Sequence, residues 1–578
     1  MRKEKKWDKV KSSVITVLNA VLFLIIPVIL FYLMEAFEHS GYEEVRSQAQ
    51  LYNIFLFELI AWLLFFVTGS ARAALRIETV IALVYGLVNH YVMAFRSTPL
   101  VPWDIFSIKT AASVAGNYDF TPTKEMLMVC GGFVLLFVLL HFLKLKFPYG
   151  IGLRIIPTVC VGIVLCTFVN LLWDDDFQSE SYLYPFLFTP AHMTKVNGMA
   201  VTFAMNMEYI FVEKPDGYSK EAAEAILEEY TAEEDLPLEE DYPNIIVIMN
   251  EAFSDLKVLG DFETNKDYMP FIHSLQQGYE NTVTGNLMVS VCGGNTANTE
   301  FEFLTGHTMD YFPVGSIPYQ QYISGEIPSM ASQLKELGYA TYGMHPYNST
   351  GWKRNEVYPW LGFDESYFVK DFDGRRYIRD YVSDRSAYEK IKEVYENKEP
   401  GTPAFIFEVT MQNHGGYTQE YESFTPDVHA EDLNSAQLDQ YLSLLRVSDY
   451  QFEKLIEYFS NEDEKTIIVF FGDHQPSDAV VRPILRFNGM STSNMSVEQA
   501  QLRYQVPYVI WANYDIEEET NADNDISFLA ADVLNRVGMP TTAYQNFLLE
   551  LQKDADSEEL LCQYQILQYY FMFDYQEE

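Results

Sequence analysis

Cysteine is scarce in this sequence, with five residues in a chain of 578. Cys130, Cys160 and Cys166 lie inside apolar runs, so only Cys292 and Cys562 remain for the rest of the chain. Small domains that depend on disulfides carry more cysteines at closer spacing. A disulfide scaffold is therefore excluded. Two free or buried thiols are expected, and one bridge between these distant residues is the alternative.

Basic residues are also few, and the deficit is uneven. Up to Asp176 the chain has 15 Lys and Arg against 14 Asp and Glu, and the remainder has 24 against 67. Nearly all of the net charge of −42 therefore belongs to the part after Asp176. Because nucleic acids are bound by basic patches, no nucleic-acid partner is expected. Such an acidic surface is usually only solvated, but it also attracts divalent cations.

Apolar runs long enough to cross a bilayer lie before residue 174. A transmembrane helix needs roughly 20 apolar residues, and five runs approach this length. Glu58, Glu78 and His90 interrupt the second and third runs. The five predicted spans are approximately Val14–Met34, Leu51–Thr68, Ile77–Met93, Met126–Leu143 and Ile155–Trp173.

The basic residues beside these runs predict the orientation of the chain. They lie in the N-terminal MRKEKKWDKVK, at Arg72 and Arg76, and at Lys144, Lys146 and Arg154. Five alternating spans place all three groups on one side, which the positive-inside rule makes cytoplasmic. Everything after Trp173 is then outside the cell, in a multi-pass protein of the cell membrane.

Three regions are predicted: a five-helix transmembrane domain over 1–173, a linker over 174–242 and an extracellular catalytic domain over 243–578. The linker has an apolar patch near Met199 to Met207, which either rests on the membrane surface or packs on the last span. An acidic helical stretch follows, from Tyr218 to Glu240. The C-terminal segment Glu558–Glu578 is apolar enough to pack on the domain or on the membrane surface, and packing on the domain core is the favoured alternative.

After Pro243 the sequence changes to short β-branched runs separated by helical segments. This pattern is typical of an α/β domain with a mostly parallel central sheet, in which ligands bind beyond the carboxyl ends of the strands. The runs and the side chains that follow them are NIIVIM with Glu251, ATYGM with His345, AFIFEV with His414, and TIIVFF with Asp473 and His474. One histidine after one strand is usually structural. Four such strands in succession indicate a metal site with oxygen and nitrogen ligands.

The segment GNLMVSVCGGNTANTEFEFLTG supplies a group for such a metal to act on. Gly293 and Gly294 permit a tight backbone path, after which Thr296 opens a predicted helix. Thr296 alone would be an N-cap, a common role for threonine. A helix N-terminus also offers N–H groups to phosphate, and a hydroxyl held on a divalent metal can become a nucleophile.

These motifs resemble the lipoteichoic acid synthase and phosphoglycerol transferase family, within the alkaline phosphatase and sulfatase superfamily. The resemblance covers the whole chain. The matching motifs, in the order of the family, are NIIVIMNEAFSD, GGNTANTEFEFLTG, HPYNSTGWKRNEVYPWLGFDE, TMQNHGGY and FFGDHQPS.

The resemblance implies roles for individual residues. Glu251, Thr296, Asp473 and His474 match the metal positions, with Mn²⁺ as the usual ion and other divalent metals as alternatives. Thr296 matches the nucleophile. The residues that match the positions holding the glycerophosphate group are His345, Trp352, Arg354 and His414. Arg354 would make paired N–H contacts with phosphate oxygens.

The sequence also departs from the family pattern. Tyr347 and Asn298 stand where the family carries aspartates, and Asn295 stands where it carries a lysine. Sulfatases proper convert a Cys or Ser within C-x-P-x-R, whereas Cys292 is followed by neither that proline nor that arginine. Sulfate ester hydrolysis is therefore not expected, and the departures leave the acceptor open.

The resemblance implies a two-step transfer of phosphoglycerol from phosphatidylglycerol, through a covalent intermediate on Thr296, to an extracellular envelope acceptor. That acceptor would be a glycolipid or a polyglycerolphosphate chain, as in lipoteichoic acid synthesis, and membrane lipids would be partners. The alternatives are a phosphoethanolamine transferase or phosphodiesterase of the same superfamily, or a non-catalytic binder of envelope polymers. A binder would have lost a ligand or the nucleophile, and none is lost here.

Overall fold

The computed structural model describes most of the chain. The described residues are 2–96, 99–107, 120–148, 150–184, 190–210, 212–231, 242–313, 316–491 and 495–575. They fall into two compact units, with the main boundary between Phe211 and Val212. The predicted acidic stretch extends into 232–241, which lies outside the described residues.

The first unit is helical throughout. Its helices are α1 (Arg2–Glu35), α2 (Ser47–Thr68), α3 (Ala71–Arg96), α4 (Lys124–Leu139), α5 (Ile151–Leu172), α6 (Asp175–Glu180), α7 (Pro190–Asn197) and α8 (Met199–Asn206). A cluster of buried apolar side chains, among them Phe31, Phe57 and Phe133, packs them together.

Four of the described helical segments are long and apolar enough to cross a membrane: Val14–Glu35, Ser47–Thr68, Lys124–Phe142 and Ile151–Leu172. The third predicted span lies on α3, which is a helix but is not among these four. Glu78 and His90 interrupt its apolar sequence. The structure thus has one fewer clear span than the sequence predicts, and the sidedness of the chain stays a prediction.

Much of the predicted linker is ordered. Met199, Val201 and Met205 of α8 are buried in the same cluster as Leu172 of α5. The apolar patch therefore packs on the last span, which was one of the two alternatives. Farther along, α9 (Lys220–Glu229) belongs to the second unit.

The second unit is built on a sheet of nine strands. The strands are β1 (Asn244–Asn250), β2 (Thr282–Met288), β3 (Ala340–His345), β4 (Glu365–Phe368), β7 (Ala404–Val409), β8 (Thr466–Gly472), β9 (Gln505–Ala512), β10 (Glu519–Thr520) and β11 (Asn524–Asp525). A separate hairpin pairs β5 (Tyr377–Ile378) with β6 (Tyr381–Val382). The sheet order is β10-β2-β9-β8-β1-β7-β3-β4, with β11 also on β2.

This sheet confirms the predicted α/β class. Strands β8, β1, β7, β3 and β4 are parallel, and only β9 runs against its neighbours in the described sheet. β1, β7 and β8 are buried along their whole length, as expected of strands covered on both faces.

Helices cover both faces of the sheet. They are α10 (Pro270–Leu275), α11 (Thr296–Thr305), α12 (Pro318–Gln321), α13 (Met330–Glu336), α14 (Arg354–Trp360), α15 (Asp384–Asn397), α16 (Ala436–Phe459), α17 (Asp478–Phe487), α18 (Val497–Gln501), α19 (Ile526–Arg536), α20 (Ala543–Lys553) and α21 (Glu558–Tyr569). Tyr564 and Leu567 of α21 are buried with Ala223 and Ile226 of α9. The described part of the C-terminal segment thus packs on the domain core, as predicted.

Candidate active site

The site begins where two neighbouring central strands end together. β1 and β8 are parallel and in register, with Asn250 opposite Gly472, so the next residues, Glu251 and Asp473, leave the sheet side by side. Gly472 has no room for a side chain, because a Cβ there would lie 1.8 Å from the carbonyl oxygen of Phe253. The glycine lets the end of β8 and the segment after β1 approach closely, and this approach fixes the spacing of the two carboxylates.

Glu251, Asp473 and His474 form a buried group of three. Their ligand atoms all lie within 4.8 Å of one another. The Nδ1 atom of His474 lies 2.9 Å from the carbonyl oxygen of Gln475. Since a carbonyl only accepts, Nδ1 carries the proton and Nε2 presents its lone pair. That Nε2 lies 3.2 Å from Asp473 Oδ2 and 3.9 Å from Glu251 Oε1.

These atoms fit a divalent cation. Among the described residues, Asp473 Oδ2 and His474 Nε2 are buried without a hydrogen-bond partner. The other carboxylate oxygen of Asp473 accepts from the amide of Ala252 at 2.7 Å, so the group is firmly held. Burial, and then the nearby Asp473, raise the pKa of Glu251 well above its usual range. Acceptors that face one another in a dry site are costly unless a cation lies between them.

Thr296 lies beside this group. It is the first residue of α11, and its side chain opposes the rise in the pKa of Glu251 that burial causes. The residue in the N-cap position is Asn295, in the left-handed conformation with φ 67°, so the interpretation of Thr296 as a mere N-cap is wrong. Gly293 has φ 75° and Gly294 φ 152°, conformations that a glycine adopts without strain.

Two hydrogen bonds hold the helix start against the metal-ligand segment. The amide of Gly293 donates to the carbonyl of Gln475 at 2.9 Å. The hydroxyl of Thr299 donates to the carbonyl of Asp473 at 2.8 Å. The predicted nucleophile and the predicted ligands therefore belong to one rigid assembly.

The two predicted substrate-binding histidines are held as neutral imidazoles. His345 ends β3, and its Nδ1 lies 2.9 Å from the carbonyl of Val409. Burial, and then the charge of Arg354, lower the pKa of His345 well below its usual value. His414 Nδ1 lies 3.0 Å from the hydroxyl of Tyr381. Burial, followed by the charges of Arg379 and His474, lowers the pKa of His414 to about 4.

Arg354 is buried and already paired. Its Nε donates to the two carboxylate oxygens of Glu300 at 3.0 and 3.1 Å, and its Nη2 also contacts that carboxylate. Tyr358 donates to the same carboxylate at 2.9 Å. The paired contacts expected with phosphate are made here with Glu300, and both side chains are buried.

Trp352 is half-buried against the sheet core, two residues before Arg354. Trp352 and Lys353 both have left-handed backbones, with φ 54° and 56°. Such strain in non-glycine residues is found mostly at binding and catalytic sites. The described contacts of Trp352 are otherwise those of a packed aromatic, so its role in substrate binding stays a prediction.

The departures from the family pattern lie close to this site. Asn298 donates to the carbonyl of Ser316 at 2.8 Å, while its side-chain oxygen has no partner among the described residues. Tyr347 follows β3 and is half-buried.

One residue of the site was missed from the sequence. Arg379 lies in the turn between β5 and β6, is 4% exposed and has φ 57°. Its Nη2 donates to the carbonyls of Gln412 at 2.8 Å and His414 at 2.7 Å. The only signal was the run RRYIRD, a basic segment within a strongly acidic region.

Comparisons with known proteins agree with this architecture. The sulfatase family profile matches residues 243–539. A protein of Rhizobium meliloti (strain 1021) named for cyclic β-1,2-glucan modification is 28% identical over 494 residues, covering 82% of this chain and 75% of its own length. The capsular polysaccharide biosynthesis protein RkpI of the same organism is 30% identical over 246 residues, covering 42% of this chain and 43% of its own length.

A solved structure has the same fold. The Streptococcus pyogenes phosphoglycerol transferase GacH, in complex with sn-glycerol-1-phosphate, aligns with a TM-score of 0.51 at 22% identity. The alignment covers 63% of this chain and 96% of that one. From the profile match and the strand-end site together, this chain belongs to the sulfatase family.

Proposed function

We propose that this protein transfers a phosphoglycerol group from phosphatidylglycerol to an acceptor in the cell envelope, through a covalent intermediate on Thr296. One observation carries the proposal: Thr296 is the first residue of α11, and hydrogen bonds from Gly293 and Thr299 hold this helix start against the segment that carries Asp473 and His474, in a buried group that fits a cation. A hydroxyl in that position can be activated as a nucleophile.

The ligands of the proposed cation are Glu251, Thr296, Asp473 and His474, and manganese is the ion we propose. Such an ion lowers the pKa of a bound hydroxyl and offsets charge on phosphoryl oxygens. The chain itself supplies the orientation. Asp473 is held by the Ala252 amide, and His474 by the Gln475 carbonyl.

In the first step the Thr296 oxygen attacks the phosphorus of the donor. The bond between phosphorus and the diacylglycerol oxygen breaks, and the diacylglycerol leaves with a proton. We propose that Glu251 takes the Thr296 proton and that this proton then passes to the departing diacylglycerol oxygen, so that the step balances. Because Thr296 is the first residue of α11, the developing negative charge would form at a helix N-terminus, where free N–H groups stabilise anions.

In the second step an acceptor hydroxyl attacks the same phosphorus, the bond to the Thr296 oxygen breaks, and the proton of the acceptor hydroxyl returns to Thr296. His345 and His414 are neutral at physiological pH, because burial lowers the pKa of each. A neutral imidazole can donate or accept a hydrogen bond at the glycerol hydroxyls, and this is the binding role we propose for both. Trp352 and Arg354 are the other members of the proposed substrate-binding set, Trp352 as a direct contact and Arg354, which is paired with Glu300, as a positioning residue.

The acceptor we propose is a hydroxyl of an envelope glycan or glycolipid. Its support is the relative named for cyclic β-1,2-glucan modification, which aligns with 82% of this chain. A polyglycerolphosphate chain, as in lipoteichoic acid synthesis, remains the alternative acceptor. The helices that can cross a membrane would anchor the chain in the bilayer that contains the donor lipid. We propose that the site lies on the outer side of this bilayer.

The test is the release of diacylglycerol from labelled phosphatidylglycerol by the full chain in lipid nanodiscs with Mn²⁺. The wild type is expected to release it, and Thr296→Ala to lose at least about 10³-fold in rate, because no other hydroxyl replaces the nucleophile. Thr231→Ala, at an exposed position, is the matched control. Release that persists in Thr296→Ala contradicts the mechanism. Free glycerol phosphate as the main product would instead indicate a phosphodiesterase.

A further inference from the structure

Arg379 has cationic N–H groups that nothing in the described structure satisfies. Its Nη2 is bonded to two carbonyls, but its Nε and Nη1 are buried and lack a partner among the described residues. No ion pair with a carboxylate is formed by Arg379 in that part of the chain. Leaving a buried charged donor unpaired costs more than leaving a neutral one, so such a group is rarely without a ligand.

The setting of Arg379 is built to hold a guanidinium in one place. Three tyrosine rings surround it, with centroids 5.4 Å (Tyr381), 5.2 Å (Tyr417) and 5.9 Å (Tyr421) from the guanidinium carbon. Arginine stacks on aromatic rings while its N–H groups stay available in the plane. Together with the two carbonyls, these rings fix the direction of the free N–H groups.

Arg379 lies at the candidate active site. It is bonded to the carbonyl of His414, whose ring contacts Tyr381. Asn413, which lies between the two residues whose carbonyls accept from Arg379, donates to the side-chain oxygen of Asn250 at 3.1 Å, and Asn250 directly precedes Glu251. Within the described part of the chain, the site therefore has unpaired acceptors at Asp473 and His474 and unpaired donors at Arg379.

Arg354, the arginine expected to bind phosphate, differs from Arg379 because a carboxylate already pairs with it. Its Nε and Nη2 are engaged by Glu300, and the pair is almost fully buried. A carboxylate already fills the planar fork that would otherwise receive two oxyanion oxygens. Arg354 is thus a poor candidate for the main anion contact, and Arg379 is the better one.

We propose that Arg379 forms an anion-binding subsite beside Glu251, Asp473 and His474, which binds the non-bridging oxygens of a tetrahedral phosphate or sulfate ester. The Arg354–Glu300 pair then acts as a positioning pair for the loop that carries Trp352. This inference deepens the proposed function, because it assigns the group that holds the phosphoryl oxygens. It does not depend on phosphoglycerol being the group that is transferred.

The test measures the binding of inorganic phosphate, and separately of sulfate, to the full chain in detergent micelles by calorimetry with Mn²⁺ present. Arg379→Gln is expected to weaken phosphate binding by about 10- to 100-fold, the range of charge-assisted hydrogen bonds. Mn²⁺ affinity, followed by the resonance signal of the free ion, is expected to stay within about threefold. Arg376→Gln, an exposed arginine three residues away, should bind as the wild type does.

Arg379→Lys keeps the charge without the planar fork and guards against a folding failure of the glutamine variant. It should lose about 3- to 10-fold in phosphate affinity, because one N–H contact replaces two. Unchanged phosphate affinity in both variants overturns the proposal. Equal losses of phosphate and Mn²⁺ affinity in both variants overturn it too, since Arg379 would then only support the loop.

Comparing phosphate with sulfate distinguishes the two classes of ester that the subsite could bind. Tighter binding of phosphate than of sulfate supports a phosphate ester as the substrate class, and the reverse order supports a sulfate ester. A wild-type chain that binds phosphate through Arg379 but releases no diacylglycerol contradicts the proposed donor and leaves the subsite standing. Diacylglycerol release that Arg379→Gln does not slow contradicts the subsite alone.

Discussion

Asp384 is a buried carboxyl group whose hydrogen bonds support the strand end next to the candidate active site. It is fully buried and accepts hydrogen bonds from Asn250 at 3.0 Å and from Ser448. Asn250 is the last residue of β1, directly before Glu251. Asp384 thus supports the strand end from which a proposed metal ligand leaves. Burial raises the pKa of Asp384 to about 6, and its hydrogen bonds only partly oppose this rise.

The pH dependence of stability follows from this shift. The unfolded chain loses the Asp384 proton near 3.8, and the folded chain loses it near 6. Folding therefore favours the protonated form, and the stability contributed by this group is lost as the pH rises through that window. The shift corresponds to at most about 3 kcal/mol.

We expect Asp384→Asn to remove this part of the pH dependence. Thermal unfolding of the full chain in micelles, followed by intrinsic fluorescence between about pH 4 and pH 8, would show a smaller loss in the variant than in the wild type. Asp380→Asn, an exposed aspartate nearby, should keep the wild-type profile. Identical profiles for wild type and Asp384→Asn would contradict the assignment.

At the residue level, the site residues that could be predicted from the sequence are those that directly follow a strand. Glu251, His345, Asp473 and His474 come directly after buried runs, and the structure brings them to the same edge of the sheet. Arg379 follows a two-residue strand of a small hairpin, which has no strong sequence pattern. The Glu300 partner of Arg354 was also hidden, because the sequence does not show whether a carboxylate on a helix faces solvent or a buried arginine.

At the scale of elements, the spacing of the site depends on how closely β8 approaches the segment after β1. Gly472 is the point of contact, with the carbonyl oxygen of Phe253 where a side chain would begin. Asp473 follows directly, so any displacement at Gly472 is passed to a proposed metal ligand. The carbonyl belongs to the backbone and cannot rotate away as a side chain could.

We expect Gly472→Ala to lower the free energy of unfolding by about 1 to 3 kcal/mol and to weaken Mn²⁺ binding, because the added methyl group must displace the backbone. Chemical denaturation and Mn²⁺ titration of the full chain measure the two effects. Gly325→Ala is the matched control, since a Cβ there meets nothing within 4 Å. A Gly472→Ala variant with wild-type stability and Mn²⁺ affinity would show that the spacing is not critical.

Among the strands, those with continuous β-branched runs were predicted and β9 was not. β1, β3, β7 and β8 cover the predicted runs within a residue or two. β9 carries Pro507, which pairs opposite Asn286 of β2. A proline inside a run argues against a central strand, because it cannot donate to the ladder. The antiparallel strand therefore had no clear signal in the sequence.

At the scale of the whole molecule, the two parts of the chain differ in net charge. The part before Asp176 is nearly neutral and holds the helices that can cross a membrane, and the acidic remainder holds the sheet and the candidate site. We propose that the second unit lies outside the cell. Whether α3 crosses the membrane decides this, because four spans would return the chain to the cytoplasmic side and five would not.

The orientation can be measured through Cys562, which is exposed in the second unit, whereas burial raises the pKa of the Cys292 thiol and makes it less reactive. In intact cells we expect a membrane-impermeant maleimide to label the wild type, and Cys562→Ser to lose this labelling. Labelling that occurs only after the cells are permeabilised would place the catalytic unit inside and remove α3 from the spans.

The central claim is that Thr296 becomes covalently bonded to the transferred group. Its most direct test is mass spectrometry of peptides from the full chain, stopped with acid after incubation with phosphatidylglycerol and Mn²⁺ in the absence of an acceptor. We predict a glycerophosphate adduct on the peptide that contains Thr296, and no adduct in Thr296→Ala. An adduct on another residue, or diacylglycerol release from a wild-type chain that never carries one, would contradict the account.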